Sequence, residues 1–201
     1  SFSLFYKNIE NPIERYKRQT TTQISTYRNG YESEIYGIEI EFRKKLDFTS
    51  LTRDFSFGTN LTFARSVTQV DTLRLRLARQ LVEDFEDTRP LYAQAPYVVN
   101  AYLNYLNTNI GLEANMAFNI EGPKIIIISK LQNPDVYERP RPLLNFNITK
   151  SLGEFFDVSF SVKNLLDSEF RQTILLDNGE EYPFRQHFLG REFSIGISYT
   201  I

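Results

Sequence analysis

Residues 190–201 read GREFSIGISYTI. Phe193, Ile195, Ile197, Tyr199 and Ile201 fall on one side of this stretch, and Ser194, Gly196, Ser198 and Thr200 on the other. Alternation with a period of two marks a β-strand whose two faces meet different surroundings. The polar side is made of small residues. A strand at the end of a chain must be paired or offer its unpaired N–H and C=O groups to other chains. A closed barrel removes that edge.

The same alternation recurs upstream. Phe2, Leu4 and Tyr6 share a face in residues 1–9. In residues 31–44, Tyr36, Ile38, Ile40 and Phe42 alternate with Gly37, Glu39, Glu41 and Arg43. In residues 51–66, Phe55, Phe57, Leu61 and Phe63 stand against Ser56, Gly58, Asn60 and Thr62. Further strands are predicted over residues 96–106, 110–121, 140–150, 155–166 and 190–201, eight in all. Pro96 is acceptable at a strand start, where no ladder bond is lost.

The connections alternate in length. Residues 10–30, 67–95, 122–139 and 167–189 are long, whereas 45–50, 107–109 and 151–154 are short. Bacterial membrane barrels have short periplasmic turns, long extracellular loops and strands of about ten residues. A soluble sandwich has no reason for such a rhythm. The expected fold is therefore all-β, an antiparallel transmembrane barrel segment of about eight meandering strands. Its C-terminus would lie on the periplasmic side. Glu39, Glu41, Arg43, Glu113, Asn115 and Lys163 would line a wet lumen. Within residues 67–95, Leu73, Leu75 and Leu77 alternate with Arg74, Arg76 and Ala78, which predicts strand protruding beyond the membrane; residues 81–86 could instead form a helical turn.

Composition agrees with this reading. The 201 residues fit one domain, 41% are hydrophobic and the net charge is −2. No basic field is present, so nucleic acid is not an expected partner. Aromatic residues reach 14%, all Tyr and Phe, which suits membrane–water interfaces. The chain has no cysteine, which excludes disulfides, thiolate metal sites and cysteine nucleophiles. No apolar run approaches the ~18 residues of a transmembrane helix. Residues 1–7 already read as mid-strand, so the chain is expected to begin inside a larger protein or to have lost a leader and more.

Two motifs carry a family resemblance. Lys163-Asn164-Leu165-Leu166-Asp167 followed by Phe170, and Gly190-Arg191-x-Phe193 alternating to the end, resemble the closing strands of TonB-dependent outer-membrane receptors. Gln94-Ala95-Pro96-Tyr97-Val98-Val99-Asn100 and Pro134-Asp135-Val136-Tyr137-Glu138-Arg139-Pro140-Arg141 are similar to members from Bacteroidetes-type bacteria. The family usually closes on an aromatic residue, where this chain has Ile201. The resemblance implies that residues 1–201 are the C-terminal part of a barrel of about twenty-two strands, the plug domain and earlier strands being absent. It also implies active nutrient uptake across the outer membrane. The implied partners are the remaining strands and plug, TonB through that plug, outer-membrane lipid and lipopolysaccharide. A small-molecule, glycan or peptide ligand is implied as well, and a surface lipoprotein could cap the barrel. No bond-making chemistry and no cofactor are implied.

Candidate sites are few. His187 is the single histidine; Ser194 and Asp177 are near in sequence, but no catalytic motif joins them and an ordinary loop histidine is favoured. Asp177-Asn178-Gly179-Glu180-Glu181 lacks the oxygen-ligand spacing of a calcium loop and reads as a hairpin turn. Arg74, Arg76 and Arg79 could meet anionic lipopolysaccharide, but pairing with Glu83, Asp84, Glu86 and Asp87 of the same loop is favoured. Glu138, Arg139 and Arg141 flank prolines at a loop base, with no ligand assignable.

Three other readings compete. One is a self-contained eight-stranded barrel acting as adhesin or anchor. Gly37, Gly58, Ser56 and Ser198 speak for a wall too bare to fill so small a lumen. The others are a barrel enzyme resting on His187 and a soluble sandwich.

Overall fold

The computed structural model describes residues 1–18, 24–49, 52–80, 85–129, 134–176 and 179–200. Ser50 and Leu51, Leu81–Asp84 of the expected helical turn, Asp177, Asn178 and Ile201 lie outside the described residues. Strands β1 (Phe2–Ile9), β2 (Ile13–Arg18), β3 (Ile24–Asn29), β4 (Ser33–Lys45) and β5 (Phe55–Gln69) are followed by helix α1 (Thr72–Ala78). Then come β6 (Thr88–Arg89), β7 (Tyr97–Asn107), β8 (Leu112–Glu121), β9 (Lys124–Ile127) and β10 (Val136–Glu138). The chain continues with β11 (Leu143–Leu152), β12 (Phe156–Lys163), β13 (Phe170–Leu175), β14 (Glu181–His187) and β15 (Glu192–Tyr199).

The eight predicted strands are β1, β4, β5, β7, β8, β11, β12 and β15. They pair in that order, each antiparallel to the next, as one meander. Among the described residues β1 and β15 do not pair with each other, so the sheet is an open arc.

Register keeps each face uniform across the arc. Leu4, Ile38, Phe63 and Tyr97 form one transverse row. Ala114, Ile148, Phe160 and Ile195 form another. A slip of one residue would send every apolar side chain to the polar side. This apolar face is not a core: Leu4 is 70% exposed, Ile195 77% and Ile197 73%. Removing such a side chain from water is worth roughly 1.5–3 kcal/mol, so the band seeks an apolar surrounding. At the short-turn end Phe155, Phe156 and Tyr199 cluster, with Phe156 and Tyr199 centroids 4.9 Å apart.

The opposite face carries amides, hydroxyls and charges. Ser56, Asn104, Asn115, Asn147, Ser161 and Ser194 stand side by side across six strands. Asn119 Nδ2 donates to Asn100 Oδ1 at 2.7 Å and Asn115 Nδ2 to Asn104 Oδ1. Arg43 meets Glu41 at 2.5 Å, and Lys163 meets Glu192 at 2.8 Å.

The wall glycines are not bare. A Cβ at Gly58 would come within 2.2 Å of Tyr102 Cζ, because the Tyr102 ring folds over it from the neighbouring strand. Phe5 covers Gly37 in the same way. The bare wall expected from those glycines is thus corrected: rings from adjacent strands occupy their space. Gly58→Ala should cost roughly 1–3 kcal/mol by overpacking. Thermal unfolding of the purified protein should show that loss, and Tyr102→Ala in the same chain should return most of it.

The four long connections fold. Residues 10–30 hold the β2–β3 hairpin. Residues 122–139 hold β9 and β10, which join β13 and β14 in a sheet ordered β14-β13-β10-β9. The protruding strand expected at residues 73–77 is helix α1 instead. Five alternating residues are too few to enforce a strand, whereas Leu, Arg and Ala favour helix. Asp71 caps the helix: its Oδ1 accepts from Leu73 N at 2.8 Å and Arg74 N at 3.3 Å. The short turn after β7 is held by Asn107, whose Oδ1 accepts from Asn109 N and Ile110 N.

Candidate functional site: the cap over the polar face

Sequence places four polar loops at one end of the wall; the structure ties them into a single cap. Lys17 N donates to Ile128 O at 3.1 Å and Ile128 N to Arg15 O at 3.0 Å, joining the first loop to the third. Ala93 N donates to Ile125 O at 2.8 Å, joining the second to the third. Strand β10 pairs with β13, joining the third to the fourth.

Among the described residues the fully buried apolar side chains are here, not beneath the wall. Ile125 and Ile128 are fully buried, and Val136 nearly so. Of the four consecutive isoleucines, too short for a helix span, Ile125, Ile127 and Ile128 are buried in the cap and Ile126 is half-buried. The cap also leans onto the polar face. Leu91 packs with Ile35 and Ala64, and its N–H donates to Ser66 Oγ at 2.9 Å. Ala64 and Ser66 share parity with Gly58 and Asn60, so they belong to the polar side. The second loop thus reaches over the face that the sequence assigns to a wet lumen.

Buried charge holds the second loop to the first. Glu14 of β2 is completely buried, and its Oε1 accepts from Arg89 Nη2 of β6. Arg28 Nε lies 3.7 Å from Glu14 Oε2, and Arg28 Nη1 lies 3.8 Å from Asp71. Sequence reading passed over Glu14 and Arg89, because nothing local distinguishes them from solvated loop charges.

The predicted site residues fall as follows. His187 ends β14 and lies against Phe170, its ring centroid 4.8 Å away. Ser194 is in another sheet, on β15 opposite Ser161. Asp177 is outside the described residues, as are Glu83 and Asp84 among the expected partners of the loop arginines. Of the hairpin turn predicted at residues 177–181, Asp177 and Asn178 lie outside the described residues; beside them Gly179 has φ +83°, its N–H donates to Leu176 O, and Leu176 N donates to Glu180 O. Among the described residues no group of three His, Cys, Asp or Glu is placed to hold a metal ion.

Arg74, Arg76 and Arg79 sit on or beside α1. Among the described residues Arg74 does not pair within its own loop. Its Nη2 reaches Asp135 Oδ1 of the third loop at 2.9 Å, and that oxygen also accepts from Ser129 N. Arg79 donates to Phe85 O, and Arg76 is exposed. Glu138 lies 3.6 Å from Lys124, and Arg139 meets Glu181 at 2.8 Å. Arg141 and Arg185 stand over the Phe170 ring.

The two motifs that carried the resemblance prove to be one knot. Asn164 and Asp167 adopt positive φ, which Asn and Asp tolerate. Asn164 Nδ2 donates to Gly190 O at 2.8 Å, and its Oδ1 accepts from Ser168 N. Arg191 Nε donates to Leu165 O at 2.8 Å, while its Nη1 lies 3.9 Å from Asp167. The knot turns the chain out of β12 and returns it into β15.

No protein-family model and no characterised protein match the chain in sequence. Solved structures do match it in fold. The ferric yersiniabactin uptake receptor FyuA from Yersinia pestis has TM-score 0.62 and 18% identity, over 100% of this chain and 27% of that one. The copper transporter OprC has TM-score 0.60 and 16% identity, over 98% and 28%. The ferric enterobactin receptor PfeA from Pseudomonas aeruginosa has TM-score 0.57 and 15% identity, over 98% and 28%. The chain thus spans little more than a quarter of the length of these structures. It has the fold of a barrel portion of such receptors, the fold that its resemblance to TonB-dependent receptors implies.

Proposed function

We propose that residues 1–201 form the C-terminal part of the barrel of a TonB-dependent receptor for active nutrient uptake across the outer membrane, supplying wall, lumen lining and four outer loops. The observation that carries this reading is the apolar band that runs in register over eight strands and stays exposed. Lipid would cover that band, and a plug would face the polar rows. The names of FyuA as an uptake receptor, OprC as a transporter and PfeA as a receptor support the same reading. The short turns and the end of β15 would then face the periplasm, and the cap the outside. The ligand would be a small molecule, glycan or peptide met at the cap. The work of opening would come from TonB acting on the plug. Nothing in the reading requires the chain to make or break bonds.

The test is the intact mass of the native polypeptide that carries GREFSIGISYTI in the source outer membrane. A mass several times 23.6 kDa supports the receptor. A mass near 23.6 kDa with no co-purifying partner would replace it with the self-contained eight-stranded barrel.

A further inference from the structure

Under the cap lies a cleft of about 530 Å³, lined by Arg74, Phe85, Glu86, Arg89, Asp135 and Tyr137, among others. A second cleft of about 520 Å³ adjoins it and shares Glu86, Arg89 and Tyr137. Three loops build the first: α1 and β6 of the second, β10 and its approach in the third, and the end of β13 with Gly179 in the fourth. None of these residues is held there by a local motif.

Arg74 is the unusual group. The residue is only 9% exposed, yet its Nε and Nη1 make no hydrogen bond among the described residues. Only Nη2 is engaged, by Asp135 Oδ1. A buried donor left without an acceptor costs about 1–3 kcal/mol, and more on a charged group. The neighbouring charges do not remove the need. Asp135 divides one oxygen between Arg74 and Ser129 N. Arg89 is committed to Glu14 and to Pro90 O. Glu86 is on the exposed side of the lining, where water screens it. Phe85 lies 5.9 Å from the guanidinium and supports it by a cation–π contact, which supplies no acceptor.

We propose that this cleft binds an oxyanion, a carboxylate or a phosphate group, on the free N–H groups of Arg74, with Tyr137 as a second donor. Arginine suits this role because it stays charged and presents several donors in a fixed plane. Burial raises the Tyr137 pKa, with the Asp135 charge adding to it, so the hydroxyl stays protonated and can donate. The proposal rests on the receptor reading only in naming the cleft as a station for an incoming ligand. The binding itself does not depend on transport.

The experiment uses the full-length protein purified in detergent, with benzoate and inorganic phosphate as probes and sodium chloride at matched ionic strength as control. A saturable upward shift of the unfolding midpoint is expected with at least one probe. Benzoate alone would assign the cleft to carboxylates, and phosphate alone to phosphates. Arg74→Gln should weaken the binding about tenfold or more, as loss of a charge-assisted hydrogen bond does. Because Arg74→Gln also disturbs Asp135, Tyr137→Phe serves as the second variant and should weaken it several-fold. No shift with either probe, the same shift with chloride, or unaltered binding in a folded Arg74→Gln variant would each overturn the proposal. Binding without uptake by cells would leave the site standing and remove the transport reading alone.

Discussion

Arg89→Ala is expected to loosen the cap while the strand meander persists. Glu14 is fully buried, and Arg89 is the partner that donates to its carboxylate. Breaking a buried pair by removing one member leaves an uncompensated charge and costs about 3–5 kcal/mol. Arg28 is 3.7 Å away on the other oxygen, so part of the charge stays balanced and the lower end of that range applies. The loss should be local. The pair joins β2 to β6, whereas the wall is held by its own ladders. Limited proteolysis should therefore cut within residues 10–30 and 85–95 far faster than in the unsubstituted protein, with the wall strands still protected. Glu14→Leu combined with Arg89→Met should restore much of the resistance, since a well-packed apolar pair often equals a buried ion pair. Equal proteolysis of Arg89→Ala and unsubstituted protein would show that the pair does not hold the cap.

Ile195→Arg should be the most damaging single change in the last strand. Ile195 sits in the middle of the apolar band, next to Phe160 across the ladder, and is 77% exposed. In lipid, arginine at mid-depth costs about 2–4 kcal/mol. In water the same change on an exposed strand would be nearly neutral, within about 0.5 kcal/mol. Ser194→Arg, one residue away on the polar face, should cost little in either case. Folding yield into lipid vesicles, read as the fraction of protein that resists protease, separates the two. A yield for Ile195→Arg equal to that of Ser194→Arg would remove the membrane reading altogether.

The wall was legible from the amino acids because a strand between an apolar and a polar surrounding writes its two faces into alternate positions. Phe193 to Tyr199 and Tyr36 to Phe42 needed no partner to be read. The rhythm of long and short connections came through as well, since a turn of three to six residues has little room for anything but a hairpin. The cap was not legible, and the reasons differ by residue. Leu73-Arg74-Leu75-Arg76-Leu77 alternates like a strand, but the Asp71 cap and good helix formers outweigh five residues of pattern. Glu14, Arg89, Arg74 and Asp135 look like ordinary solvated charges until chain segments 61 and 75 residues apart meet.

The sequence by itself determined the number and order of the wall strands and which side of each is apolar, because period and hairpin spacing are local properties. Only the tertiary structure decided that the polar loops close into a packed cap over the polar face. It alone revealed that Ile125 and Ile128 are its core and that Arg74 is buried with donors to spare. Burial of a charge depends on what several distant segments place around it, and no pattern within one segment records that.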